Sequence, residues 1–204
     1  MPYKYTSQGQ SPGAYHVFNR ARDGIWLFRD DEDRRHFERL INRHLSAVPQ
    51  LDSRGRPYES LRDEVRMCAR NVLSSHFHLI LWQKVPGGID RLMNRVLAAY
   101  TRYYHRKYGT SGPLYAGRFR RRMIESDKSF MWRVGYVHDN HKREGLDYRF
   151  STHKLLISGD APSWLEAEAT LKVFGGLSNY QRYMEKRIQR NTLDDQLRQD
   201  GTLF

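Results

Sequence analysis

The sequence predicts an α+β fold: a ferredoxin-like (RRM-like) antiparallel sheet with helices on one face, then a helical C-terminal extension. Three observations carry it. Segments of period-two and of helical apolar spacing follow one another as β-α-β-β-α-β-α, and the first six of these make the split βαβ arrangement. The apolar spacing of the strands leaves one sheet face to the helices and the other face polar. Finally, 204 residues, 39% apolar and 13% aromatic, suffice for one domain with a real core.

Each element has its own signal. Residues 1–13, punctuated by Pro2, Gly9, Pro12 and Gly13, read as a flexible lead-in. Ala14–Arg20 is a short β-rich run closed by the turn dipeptide Asp23-Gly24. Asp30–Val48 places Phe37, Leu40, Ile41, His44, Leu45 and Val48 at helical spacing behind an acidic first turn. Residues 49–60, with Pro49, Gly55 and Pro57, form a loop, after which Val65, Met67 and Ala69 alternate with Arg66, Cys68 and Arg70 as in a strand. A second strand centres on His76–Trp82, with Ser74-Ser75 as the turn between the two.

Ile89, Leu92, Met93, Val96, Tyr100 and Tyr103 then mark a long helix stopped by Gly109. Gly117–Glu125 suits an arginine-rich strand, and Ser126 caps a third helix running to about Asn140. Beyond Leu146 the pattern weakens, with helices expected at Ser163–Phe174 and Ser178–Gln189. Residues 14–150 are thus the expected functional domain and 151–204 a helical extension.

Charge and cysteine content narrow the function. The chain carries 35 Lys+Arg against 23 Asp+Glu, a net charge of +12, which points to a polyanionic partner. A single cysteine, Cys68, excludes an intrachain disulfide and a cysteine-cluster zinc site, and suits a reducing, cytoplasmic setting. No apolar run approaches the ~18 residues of a membrane span, and Met1–Gln10 lacks the apolar core of a signal peptide, so no membrane association is expected.

His76 and His78 lie two apart on a strand, so both imidazoles project from one face while Phe77, Leu79 and Leu81 project from the other. With the helices on the apolar face, the histidines fall on the open one. Paired imidazoles are good ligands for a divalent ion, although two polar histidines in a half-exposed strand give the same pattern. In the third helix, Phe130, Val134 and Val137 form the inward stripe. Tyr136 lies off it, with Asn140 one turn further along the same flank, so a hydroxyl and an amide oxygen can meet one object together. A half-buried tyrosine and a helix-end asparagine would read alike. Trp132, one turn before Tyr136, suits either packing or base stacking.

These features fall in an ordered set: Tyr15-His-Val-Phe-Asn-Arg20, His76-Phe-His-Leu-Ile-Leu81, Tyr100-Thr-Arg-Tyr-Tyr104, Gly117-Arg-Phe119, Tyr136-Val-His-Asp-Asn140 and Arg143-Glu-Gly-Leu146. Over Tyr15 to Ser151 the chain resembles the IS200-like HUH single-tyrosine transposases, in particular the REP-associated tyrosine transposases. The resemblance implies that Tyr136 is a nucleophile and that His76, His78 and Asn140 hold Mg²⁺ or Mn²⁺. It further implies cleavage and rejoining of single-stranded DNA at hairpin-forming sequences through a 5′-phosphotyrosine.

The chain departs from the family in two places. Ser74-Ser75 stands where the family has Pro-Asn, and His141 follows Asn140 where the family has proline, leaving His138 and His141 as alternative ligands. Arg118, Arg120, Arg121 and Arg122, with Arg102, Arg106 and Lys107 on the second helix and Trp132 on the third, are the expected DNA contacts. The family includes dimers and single-chain enzymes, so a homodimer and a monomer are both open. A hairpin-binding module of the same fold that does not cut is the alternative function; a His-ligated hydrolase of small substrates fits the charge poorly.

Overall fold

The computed structural model describes residues 11–140 and 148–199. Strands β1 (Gly13–Arg20), β2 (Val65–Val72), β3 (His76–Gln83) and β4 (Arg120–Ile124) form one sheet in the order β2-β3-β1-β4, each adjacent pair antiparallel. Helix α1 (Asp31–Leu45) connects β1 to β2, α2 (Gly88–Tyr108) connects β3 to β4, and α3 (Asp127–Asp139) follows β4. The fold class is the expected one. Three further helices, α4 (His153–Ser158), α5 (Ala167–Val173) and α6 (Leu177–Gln199), make up the extension, with a 3-10 turn at Tyr148–Phe150 before them.

The two faces of the sheet have different cover. Phe77, Leu79 and Leu81 of β3, with Tyr15 and Val17 of β1, are fully buried on the side of α1 and α2, where the Phe37 ring meets that of Phe77 at 4.9 Å. The α1–α2 seam is aromatic, with Phe28, Phe37 and Tyr100 in mutual contact and the Tyr100 hydroxyl donating to the Leu27 carbonyl at 2.7 Å. The other face is not open along its length. Helix α3 lies across β2 and β3 there, burying Val134 and Val137, and Asn71 Nδ2 donates to the Val137 carbonyl at 2.7 Å.

Several boundaries move for identifiable reasons. Asp30 caps α1 in a capping box with Asp33, but the helix stops at Leu45 rather than Val48: Ser46 is extended and Pro49 disfavours a helical Val48. Gly109, at φ 62°, closes α2 through its N–H to the His105 carbonyl. Strand β4 is shorter than Gly117–Glu125 and begins at Arg120. In β2 a bulge between Met67 and Ala69 breaks the expected alternation. One extra residue reverses the facing of the rest of the strand, so Arg70 reaches Glu38 of α1 at 2.5 Å instead of sharing a side with Arg66.

At the N-terminus, β1 starts one residue early, and the Ser11 carbonyl accepts from the Tyr15 hydroxyl and from Gln83 Nε2; residues 1–10 of the expected lead-in lie outside the described residues. The extension is built onto the outer edge of β2. Glu166 N–H donates to the Met67 carbonyl and Thr152 N–H to the Arg70 carbonyl, at 2.8 and 3.0 Å. Residues of the extension thus take up backbone groups that an edge strand would leave bare. Gly135 lets α6 approach α3: a Cβ there would sit 2.8 Å from the Tyr183 ring and 2.9 Å from Arg187 Cδ.

Candidate active site

Period-two projection places His16 and Phe18 of β1, His76 and His78 of β3, and Arg120 and Arg122 of β4 on the α3 side of the sheet; Phe18 lies opposite His78, and His16 opposite both Ile80 and Arg122. Three side chains that the sequence singles out come together here. The rings of His76 and His78 stand 5.0 Å apart and nearly perpendicular, and the Tyr136 ring lies 5.4 Å from that of His78. Tyr136 reaches this position because Val134 and Val137 turn the buried stripe of α3 onto the sheet and Asn71 ties down the end of the helix. Trp132, 47% exposed, stacks on Tyr136 within 7° of parallel at 5.6 Å.

His16 belongs to the same cluster. Its Nε2 lies 2.9 Å from His78 Nδ1, and its ring lies 6.1 Å from that of Tyr136. Sequence reasoning passes over it as part of a β-rich run. The available signal is a histidine on the same alternate set as Phe18, in a strand whose other alternate positions, Tyr15 and Val17, are core.

Burial and cationic neighbours keep these imidazoles neutral. Burial depresses His16 to about 3, helped by Arg133 and Arg122, and burial holds His78 well below its ordinary value, helped by His16, His76 and Arg133. The same arginines give the pocket a positive potential suited to phosphate. The expectation of two histidines on an open face is corrected: His78 is only 7% exposed because α3 covers it, whereas His76 is half-buried.

Asn140 caps the C-terminal end of α3, 5% exposed, and its Nδ2 meets no partner among the described residues. The atom of that amide a divalent ion would take is the oxygen, since the Nδ2 group only donates. Among the described residues no group of three His, Cys, Asp or Glu side chains forms a site. His138 is not an alternative. It is fully buried and faces the extension, with Nε2 2.9 Å from Thr152 Oγ1 and Nδ1 2.8 Å from the Tyr180 hydroxyl. His141 lies outside the described residues, as does Arg143–Leu146. Cys68 is no competing nucleophile: it is buried and its thiol is pushed up to about 12.

The expected DNA contacts separate into two groups. Arg120 is exposed and Arg122 half-buried on the histidine side, Arg122 lying 5.8 Å over the Phe18 ring; Arg118 is exposed just before β4. Arg121 points to the other side and pairs with Asp90 of α2 at 2.6 Å. Arg102, Arg106 and Lys107 are on α2, across the sheet from the histidines, and Lys107 is bound to Asp30 and Asp33 at 2.8 and 2.7 Å. Beside the histidine cluster an apolar groove of about 520 Å³ is lined by Ala14, Trp82, Ile124, Phe130 and Val173, with Trp82 46% exposed.

A solved structure of a REP-associated tyrosine transposase bound to a REP hairpin is similar to this chain over 80% of its length and 90% of the other's, with a TM-score of 0.57 and 16% sequence identity. The chain has the fold of a REP-associated tyrosine transposase. No family model matches it, and neither does any curated protein. In this transposase fold the cluster of His16, His76, His78 and Tyr136 lies on the sheet face opposite α1 and α2, under the edge of α3.

Proposed function

We propose that this chain is a single-stranded DNA transposase or nickase that cuts and rejoins DNA at hairpin-forming sequences, with Tyr136 as nucleophile. The supporting observation is the approach of the Tyr136 ring to 5.4 Å from His78 on a surface flanked by Arg122 and Arg133. The Tyr136 phenolic oxygen attacks the scissile phosphorus, the bond from phosphorus to the 3′ oxygen breaks, and that oxygen leaves as a 3′-hydroxyl after taking up a proton. The 5′ end stays on the tyrosine, and attack by a 3′-hydroxyl on the phosphotyrosine rejoins the strand with the bond energy conserved. Mg²⁺ or Mn²⁺ held by His76, His78 and Asn140 would supply positive charge for the non-bridging phosphate oxygens.

Arg120 and Arg122 share the site's side of the sheet and, with the exposed Arg118 just before β4, suit the DNA backbone, while Trp132 and Trp82 offer flat surfaces for unpaired bases. Arg102 and Arg106 are assigned a lesser part, since α2 lies behind the sheet. The test uses a labelled hairpin oligonucleotide with a single-stranded flank and Mn²⁺. The parent chain should form an SDS-resistant adduct, and Tyr136→Phe should abolish it while changing hairpin affinity less than about threefold. An adduct that survives Tyr136→Phe overturns the assignment. Binding by the parent with no adduct at all favours a module that recognises hairpins without cutting them.

A further inference from the structure

We infer that His16 is a positioning residue that decides which nitrogen His78 presents to the ion; the inference rests on reading His78 as a ligand. The two rings are diagonal neighbours on adjacent strands, His78 Nδ1 lies 2.9 Å from His16 Nε2, and His16 is 3% exposed. A contact of that length between two neutral imidazoles contains one proton, donated by one ring and accepted by the other. His16 therefore occupies the Nδ1 side of His78 and leaves Nε2 as the nitrogen available to an ion. Ligation through the Nε2 lone pair requires the His78 proton on Nδ1, where His16 Nε2 accepts it.

The surroundings of His16 suit a fixed acceptor. Its ring stacks on Phe18 at 4.9 Å and meets Tyr136 edge-on, so it has little freedom to turn away. Its own Nδ1 is buried with no partner among the described residues. That atom must carry a proton when His16 accepts at Nε2, and a buried donor without an acceptor is costly. In the absence of an ion the opposite arrangement is favoured, with His16 Nε2 donating and the His78 proton on Nε2. Ligation at His78 Nε2 would release that atom's proton to solvent, shift the shared proton from His16 Nε2 to His78 Nδ1 and bring a solvent proton onto His16 Nδ1, with no net change in the charge of the pair. His76 has a lesser counterpart, its Nδ1 lying 3.0 Å from Ser75 Oγ.

The experiment measures Mn²⁺ affinity of the full chain, without DNA, by titration calorimetry in the parent, His16→Phe, His16→Gln and His78→Ala forms. Phe keeps the ring's bulk but cannot accept; Gln places a carbonyl oxygen near the position of Nε2 and has no second ring proton to bury. Affinity should fall about 10- to 100-fold in His16→Phe and stay within about threefold of the parent in His16→Gln, as for a ligand's orienting partner. Unchanged affinity in His16→Phe, with loss in His78→Ala, overturns the role of His16 and leaves the metal reading intact. Equal loss in His16→Phe and His16→Gln overturns it too, since packing alone would then be at work. Unchanged affinity in His78→Ala refutes the metal reading itself, and the inference with it. A second measurement avoids the variants: two-bond ¹H–¹⁵N correlations of the parent should show the His78 proton on Nδ1 once Mg²⁺ is added. Its persistence on Nε2 overturns the inference.

Discussion

His44 closes the last turn of α1, its Nδ1–H donating 2.8 Å to the Glu59 carbonyl in the next loop. Burial holds this imidazole below its ordinary value of 6.5; the Glu59 bond works the other way, and Arg95 and Arg43 add to the depression. The unfolded chain therefore takes up a proton at a higher pH than the folded one. The resulting stability is complete above pH 6.5 and is lost as pH falls through and below it. His44→Asn, which keeps a donor for Glu59 and cannot titrate, should flatten part of the acid limb in denaturant unfolding measured from pH 7.5 to 5. An unchanged limb would mean that His44 does not contribute. At this scale the sequence reveals residues whose partners are local. The period of two places His76 beside His78, and the period of 3.6 turns Tyr136 off the buried stripe. The His16–His78 contact joins residues 62 apart in sequence, and a diagonal pair leaves no mark on either strand's own pattern.

Helix α3 is the element on which the candidate chemistry depends, and it is held from both sides. Asn71 ties its end to β2, while Arg187 of α6 pairs with Asp139 at 2.6 Å and lies 5.5 Å over Trp132, the ring stacked on Tyr136. The pair is largely out of water, with Asp139 4% and Arg187 14% exposed at the side chain. Arg187→Ala takes the ion-pair partner at 2.6 Å from a buried carboxylate, and breaking a buried pair on one side costs up to about 3 to 5 kcal/mol. The expected result is a loss of that order in chemical denaturation and weaker stacking of Trp132, read from its fluorescence. A loss under about 1 kcal/mol would show the pair to be dispensable. The thread Thr152–His138–Tyr180–His153 adds a second clamp between α3 and the extension. This accounts for His138, an alternative ligand only because His141 stands where the family has a proline after Asn140. The strands and first three helices were legible because each has its own periodicity and stop residue. The short α4 was not, since its six residues contain no complete apolar repeat, and the bulge at Met67/Ala69 has no glycine to announce it.

Over the whole molecule 35 Lys and Arg side chains exceed 23 Asp and Glu by 12. Some of those cations are engaged internally, Lys107 by Asp30 and Asp33, Arg121 by Asp90, Arg70 by Glu38 and Arg187 by Asp139, which leaves the excess itself unchanged. Composition alone could not show this, because a count of arginines does not distinguish one engaged by a carboxylate from one facing water. Arg120 and Arg122 remain on the histidine side of β4. Affinity for a hairpin oligonucleotide should fall steeply with salt, and Arg120→Ala with Arg122→Ala should lower the slope of log affinity against log salt by about 1.5 to 2. An unchanged slope in filter binding from 50 to 300 mM salt would place the DNA elsewhere.

The sheet's two borders are finished differently, and the difference bears on how copies of the chain can meet. Along β2 the chain's own residues 151–166 occupy the border, so no second molecule can extend the sheet from there while they are in place. Along β4 the described residues add no further strand, but the border is a five-residue run beginning with three arginines. Two such borders laid side by side would bring like charges together along their length. Sheet continuation from chain to chain is therefore self-limiting, and the charge of that rim suits a polyanion better than a second copy of itself.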